Sequence, residues 1–117
     1  MFVKERKKLA LPTRLLVKTL ESLATHRDIA IVRERDSNFL VVKTPAIEAW
    51  VDKSLNMLRF QWYEEGALWS YYERDIDVGK IYEKIRGEVF KTISDPSYYP
   101  DLDSVAELVE SALKKKP

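Results

Sequence analysis

Apolar residues recur every three or four positions near both ends of this chain and every two in its middle. Leu16, Leu20 and Leu23, with Val17 and Ala24, form a stripe opposed by Lys18, Glu21 and Ser22, which predicts an amphipathic helix from about Thr13 to Thr25. Pro12 suits its first turn, where no N–H is needed. His26 and Arg27 are placed to end it, cations meeting the negative end of the dipole. Ile29 to Arg35 then alternates, Asp36-Ser37 makes a turn, and Phe39 to Lys43 is rich in β-formers, so the pair reads as a hairpin. Thr44-Pro45 breaks the pattern, Ile47 to Val51 begins a third strand, and a loop near Lys53 to Asn56 leads into a fourth. Glu65-Gly66 sits between the last two strands as a tight hairpin turn.

Matching apolar to apolar positions sets the register. Pairing Glu64 with Ala67 puts Trp62 opposite Trp69, Phe60 opposite Tyr71 and Arg59 opposite Tyr72; Val51 then faces Leu58, Ala49 faces Phe60, Val42 faces Ile47 and Leu40 faces Ala49. One sheet face collects Ile29, Ile31, Leu40, Val42, Ile47, Ala49, Val51, Leu58, Phe60, Trp62, Trp69 and Tyr71, and is the expected core. The other collects Val32, Phe39, Val41, Lys43, Trp50, Arg59, Tyr63, Leu68 and Tyr72, too apolar for ordinary solvated surface.

After the sheet, Asp77 can cap a helix whose apolar positions Val78, Ile81, Tyr82, Ile85, Val89 and Phe90 recur at helical spacing. Ser94 to Pro100 reads as a rigid loop with a tyrosine pair between two prolines. A last helix, about residues 102–115, has capping-box spacing at Ser104 and Glu107 and a short seam of Leu102, Val105, Val109 and Ala112 that could pack on the domain or pair with a second chain. The expectation is a single α+β domain over residues 1–117: a basic arm (1–11), an N-terminal helix, a five-stranded antiparallel meander, and two C-terminal helices packed with the first on one face of the sheet.

With 117 residues there is room for one core. Twenty basic against 19 acidic residues, a net charge of +1, give no global pull toward nucleic acid or membrane, so any electrostatic site must be local. No cysteine is present, which excludes disulfides, thiolate chemistry and cysteine-bound metals. The start of the chain lacks the apolar run of a signal peptide and no stretch approaches a membrane span, so a cytoplasmic location is expected. Charged residues make up 33% while Asn and Gln are confined to Asn38, Asn56 and Gln61, a balance associated with heat-adapted proteins.

Catalytic signatures are scarce. The one histidine, His26, sits at a helix end with no serine or cysteine partner, and the three glycines make no phosphate loop. Glu64, Glu65, Glu73, Asp75 and Asp77 crowd together, but strand ends and turns collect such charges as solvated edges. A small hydrolase built on them would need a divalent metal. No cofactor and no enzymatic activity are expected.

The second sheet face carries more chemistry. Phe39 and Trp50 become cross-strand neighbours in this register, Arg59 and Tyr72 continue the row, Tyr63 lies further along the same face, and Lys43 and Arg35 flank it. Aromatic faces bordered by cations suit unpaired bases and backbone phosphates. Phe39, Lys43, Trp50, Arg59, Tyr63, Tyr72 and Arg35 are therefore the candidate residues for binding single-stranded DNA or RNA with little sequence preference, Trp50 being the expected stacking residue. The same residues fit a different class, an adaptor or structural protein whose aromatic face is a protein or homodimer interface.

A helix, an antiparallel sheet rich in aromatics, further helices and a heat-adapted composition together resemble the ThermoDBP-like proteins, non-OB single-stranded DNA-binding proteins of thermophilic archaea. The resemblance covers the whole layout and carries over no single residue. It implies binding of single-stranded DNA and an oligomerising helical C-terminus, hence a homodimer through the last helix. Here the seam ends after Leu113 in Lys114-Lys115-Lys116-Pro117, so the expectation is a weak oligomer or a shortened form.

Overall fold

The computed structural model describes residues 8–115; Met1 to Lys7, most of the expected basic arm, and Lys116 and Pro117 lie outside the described residues. The elements run α1 (Leu11–Thr25), β1 (Ile31–Arg35), β2 (Phe39–Lys43), β3 (Ile47–Asp52), β4 (Met57–Glu64), β5 (Ala67–Arg74), α2 (Gly79–Ser94) and α3 (Leu102–Lys114). The strands form one antiparallel sheet in the order β1-β2-β3-β4-β5, so the α+β meander expected from the alternation is what forms. No helix among the described residues is long and apolar enough to cross a membrane.

Helix α1 is the keel. Leu16, Val17, Leu20 and Leu23 are at most 1% exposed, because the helix touches β2 and β3 on one side and α2 and α3 on the other. Its start has no side-chain cap of its own. Glu110 of α3 supplies one, accepting from the Ala10 N–H at 3.0 Å and from the Thr13 hydroxyl; a carboxylate there also meets the positive end of the dipole. Arg27 ends a helix, as expected of a cation in that position, but the helix is α2: its Nη1 donates to the carbonyls of Thr92 at 2.7 Å and Tyr98 at 3.0 Å.

Strand pairing follows the expected register for β3–β4 and β4–β5. Between β2 and β3 it differs by two residues: Leu40 faces Val51 and Val42 faces Ala49. Proline decides this. The turn closes from the Thr44 N–H to the Ile47 carbonyl at 2.9 Å, which places Pro45 at the first central position, where its fixed φ fits, instead of the second, where it is disfavoured. A shift of two preserves every face. In β1 the faces are exchanged relative to expectation. Arg35 pairs with Phe39 and Val32 with Val42, around a loop in which Asp36 and Ser37 both take φ of 54°. Val32 and Glu34 thus point to the helices, while Ile29 and Ile31, expected in the core, are 60% and 44% exposed. Glu34 is tolerated on the helix side because the Tyr82 hydroxyl and the Arg86 guanidinium both donate to it; these hydrogen bonds, Arg86 foremost, hold its carboxyl below the usual range.

Trp62 is 8% exposed, yet its cross-strand partner Trp69, expected to be core, is 50% exposed. Trp69 stands on β5, the edge strand of the sheet, and lying on the core side does not by itself bury it. At the C-terminus, Asp101 caps α3, accepting from the Ser104 N–H at 3.1 Å, in place of the expected Ser104–Glu107 box. Leu102, Val105 and Val109 of the seam are buried in the chain's own core, so that stripe is not on the surface to meet a second chain.

The loop before α3 is fastened by Glu88, itself 3% exposed. It accepts from the Tyr98 hydroxyl at 2.5 Å and the Asp101 N–H at 2.8 Å and pairs with Lys84 at 3.4 Å. Burial pushes the Glu88 carboxyl up, but these partners together outweigh it and hold it below its ordinary 4.5. A depressed folded value means the stabilisation is complete above that ordinary value and is lost as the pH falls through the depressed one. Acid melts should therefore show wild type losing stability below about pH 4.5, with Glu88→Gln less stable at neutral pH and less sensitive to acid.

Denaturant titrations should separate the two tryptophans. Trp62→Ala is expected to cost about 3–5 kcal/mol through a cavity, and half-exposed Trp69→Ala about 1 kcal/mol.

Candidate nucleic-acid interface

All three helices pack on one side of the sheet, and among the described residues nothing covers the opposite face. Period-two alternation in five paired strands sets side chains out in transverse rows. One row reads Arg33, Val41, Trp50, Arg59, Tyr72, and the next Arg35, Phe39, Asp52, Met57, Arg74. Across these rows rings and guanidinium groups alternate. Arg35 lies over Phe39 at 5.0 Å; Phe39 and Trp50 are tilted at 53° with centroids 6.5 Å apart; Arg59 lies over Trp50 at 3.7 Å and over Tyr72 at 5.2 Å; Arg74 reaches Tyr72 at 5.4 Å. The result is a ladder from one sheet edge to the other.

Of the sequence-derived candidates, Arg35, Phe39, Trp50, Arg59 and Tyr72 are brought together in this ladder. Phe39 and Trp50 meet as diagonal neighbours, since the proline-set register puts Val41 directly opposite Trp50. Lys43 and Tyr63 are not in the ladder. They border a shallow depression of about 370 Å³ at the other end of the face, with Pro45, Gln61 and Leu68. There Tyr63 is 73% exposed and Leu68, its cross-strand partner, 55%. Two cations escaped the sequence reading. Arg33 was hidden by the exchanged faces of β1, whereas Arg74 could have been found from its two-residue spacing to Tyr72.

The open face holds five cations, Arg33, Arg35, Lys43, Arg59 and Arg74, and the carboxylates Glu48 and Asp52 in the paired strands. Both acids have internal work. Glu48 accepts from the Trp50 indole N–H at 2.6 Å, and Asp52 accepts from the Ser54 hydroxyl at 2.6 Å and the Leu55 N–H at 3.1 Å. Arg59 is different: its Nε is buried between the rings with no hydrogen-bond partner among the described residues, which leaves the two outer nitrogens to meet a ligand. A guanidinium stacked on a ring keeps its donors in its own plane, free for an oxyanion arriving at its edge.

Trp50 was the expected stacking surface. Arg59 lies over its ring and Phe39 beside it, and the most exposed rings of this face are Tyr63 and Tyr72. The acidic residues at the hairpin ends do not converge. Glu73 lies buried on the helix side, accepting from the Tyr71 hydroxyl at 2.8 Å, and among the described residues no group of three or more His, Asp or Glu is arranged to hold a metal ion. Burial, then the Glu73 carboxylate, pushes the Tyr71 hydroxyl up to about 12.

No protein-family model matches the chain, and neither a curated protein nor a solved structure matches it with significance. The geometry of this face therefore stands alone as the basis for a functional reading.

A double-mutant cycle of Trp50→Ala and Arg59→Ala, followed by chemical denaturation, should give a coupling of about 0.5–2 kcal/mol, the range for a partly desolvated cation–π pair. A coupling of zero would show that the contact does not hold in solution.

Proposed function

We propose that the chain is a non-enzymatic module binding single-stranded nucleic acid, DNA in the first instance, with little sequence preference. The observation that carries the reading is the ring-and-guanidinium ladder across a sheet face that no helix covers. Each part suits an unpaired strand. Exposed Tyr63 and Tyr72 offer flat surfaces to bases, and every base has a π-face, so stacking tolerates any sequence. Arg33, Arg35, Arg59, Arg74 and Lys43 meet the phosphates. A duplex keeps its bases stacked inside and cannot use the tyrosines in this way.

The near-zero net charge shapes the expected thermodynamics. Few phosphates are neutralised, and the slope of log affinity against log salt follows their number at roughly 0.7 per contact for a single strand. A shallow slope of about two to four is expected, with stacking supplying roughly 1–3 kcal/mol per base.

Fluorescence titration with oligo-dT and with a duplex of matching length tests this. Wild type should bind the single strand with quenching and the duplex far more weakly. Tyr63→Ala and Tyr72→Ala should each lose about 1–3 kcal/mol of affinity with the fold intact, and Arg74→Ala should weaken binding and lower the salt slope by about 0.7. No binding of the single strand at micromolar protein would sink the reading. A homodimer that buried Trp50 and bound no nucleic acid would favour the adaptor class instead.

A further inference from the structure

The two edges of the sheet are unlike. β1 has five residues and carries Arg33, Glu34 and Arg35, with Glu34 bound to Arg86 at 2.7 Å; short, charged edges of this kind resist pairing with other chains. β5 has eight residues, without proline and in unbroken register with β4. Among the described residues, only β4 pairs with it. Leu68, Trp69 and Tyr72 on this edge are 55%, 50% and 43% exposed.

The hairpin settles which backbone groups of β5 are free. Glu65 and Gly66 have φ of 53° and 79°, the pattern of a two-residue type I′ turn, whose flanking pair, Glu64 and Ala67, exchanges hydrogen bonds. Odd-numbered residues of β5 therefore turn their N–H and C=O groups to β4. Leu68, Ser70, Tyr72 and Arg74 turn theirs outward.

We infer that β5 pairs antiparallel with β5 of a second copy of this chain about a two-fold axis at Ser70, joining two sheets into one of ten strands. In that register Leu68 of each copy faces Tyr72 of the other and Trp69 faces Tyr71, so the exposed apolar groups on both sides of the edge are covered mutually. Charge favours this register over those displaced toward the end of the strand. Arg74 of each copy arrives at Gly66 of the other, beside Glu65 and the acidic hairpin tip, and the contact is made twice by symmetry. Displacing the axis to Tyr71 or Tyr72 moves Arg74 away from the acids. A foreign strand would find the same hydrogen-bond donors but not this reciprocal match of arginine and glutamate. The two open faces then lie side by side as one continuous surface. The inference concerns an edge, and does not rest on what binds the face.

Light scattering of the full chain without nucleic acid tests it. At tens of micromolar the mass should be twice 13.7 kDa. Ser70→Pro removes an outward N–H without touching the bonds to β4, and should give a monomer whose far-ultraviolet circular dichroism shows the fold retained, with tryptophan emission shifted to the red as Trp69 returns to water. The cysteine-free sequence allows a second test. Ser70→Cys should form a disulfide-linked dimer on mild oxidation, because directly opposed hydrogen-bonded residues lie about 5.5 Å apart. Gln61→Cys, one strand inward on the same face and so about 15 Å from its mate, should stay unlinked.

A wild-type mass of one chain overturns the inference. So does a folded Ser70→Pro that remains dimeric, or cross-linking of Ser70→Cys no better than that of Gln61→Cys. Should Ser70→Pro fail to fold, the two cysteine variants decide.

Discussion

Burial of α1 from almost every direction is the constraint on which the rest of the fold depends. Four of its side chains, Leu16, Val17, Leu20 and Leu23, are closed off from water and together contribute roughly 6–12 kcal/mol by area alone. A helix buried this deeply also brings polar groups inside, and each must find a partner. Thr19 donates to the Leu15 carbonyl at 2.8 Å, Thr13 to Glu110, and Ser22 to the Thr44 hydroxyl at 2.7 Å. The last two tie the keel to α3 and to the β2–β3 turn. Because the keel and its two flanking helices all lie on one side, the other side of the sheet has nothing to pack against among the described residues.

That asymmetry gives the open face its character. A sheet face in water is usually polar; here it is aromatic, with guanidinium groups between the rings. Stacking keeps arginines charged and wettable at their edges while their flat surfaces cover apolar area. It also restricts their rotamers before any ligand arrives, which lowers the entropy cost of binding.

The β4–β5 hairpin extends the same logic to an edge. Tyr63, Leu68 and Trp69 stand exposed on its two sides. A ribbon of this kind belongs to the low end of the local stability range. It gains most from a partner that covers both of its sides.

The sequence by itself determined the elements and most of the faces. Alternation through Leu58, Phe60 and Trp62 can be satisfied by only one side of a strand, and Glu65-Gly66 permits one tight turn, so β3 to β5 were legible to the residue. Heptad spacing in α3 marked a buried stripe without saying what would bury it. Tertiary structure decided what local patterns leave degenerate. The apolar run of β1 offers isoleucines on one parity and Val32 on the other, and Arg86 and Tyr82, some fifty residues away, tip the choice by donating hydrogen bonds to Glu34 on the helix side. Trp69 has the parity of a core residue, but its burial depends on how far a helix reaches, and no strand encodes that. Trp50 was legible as a residue of the second face. Its contact with Arg59 follows from χ angles and neighbours that exist only once the strands are side by side.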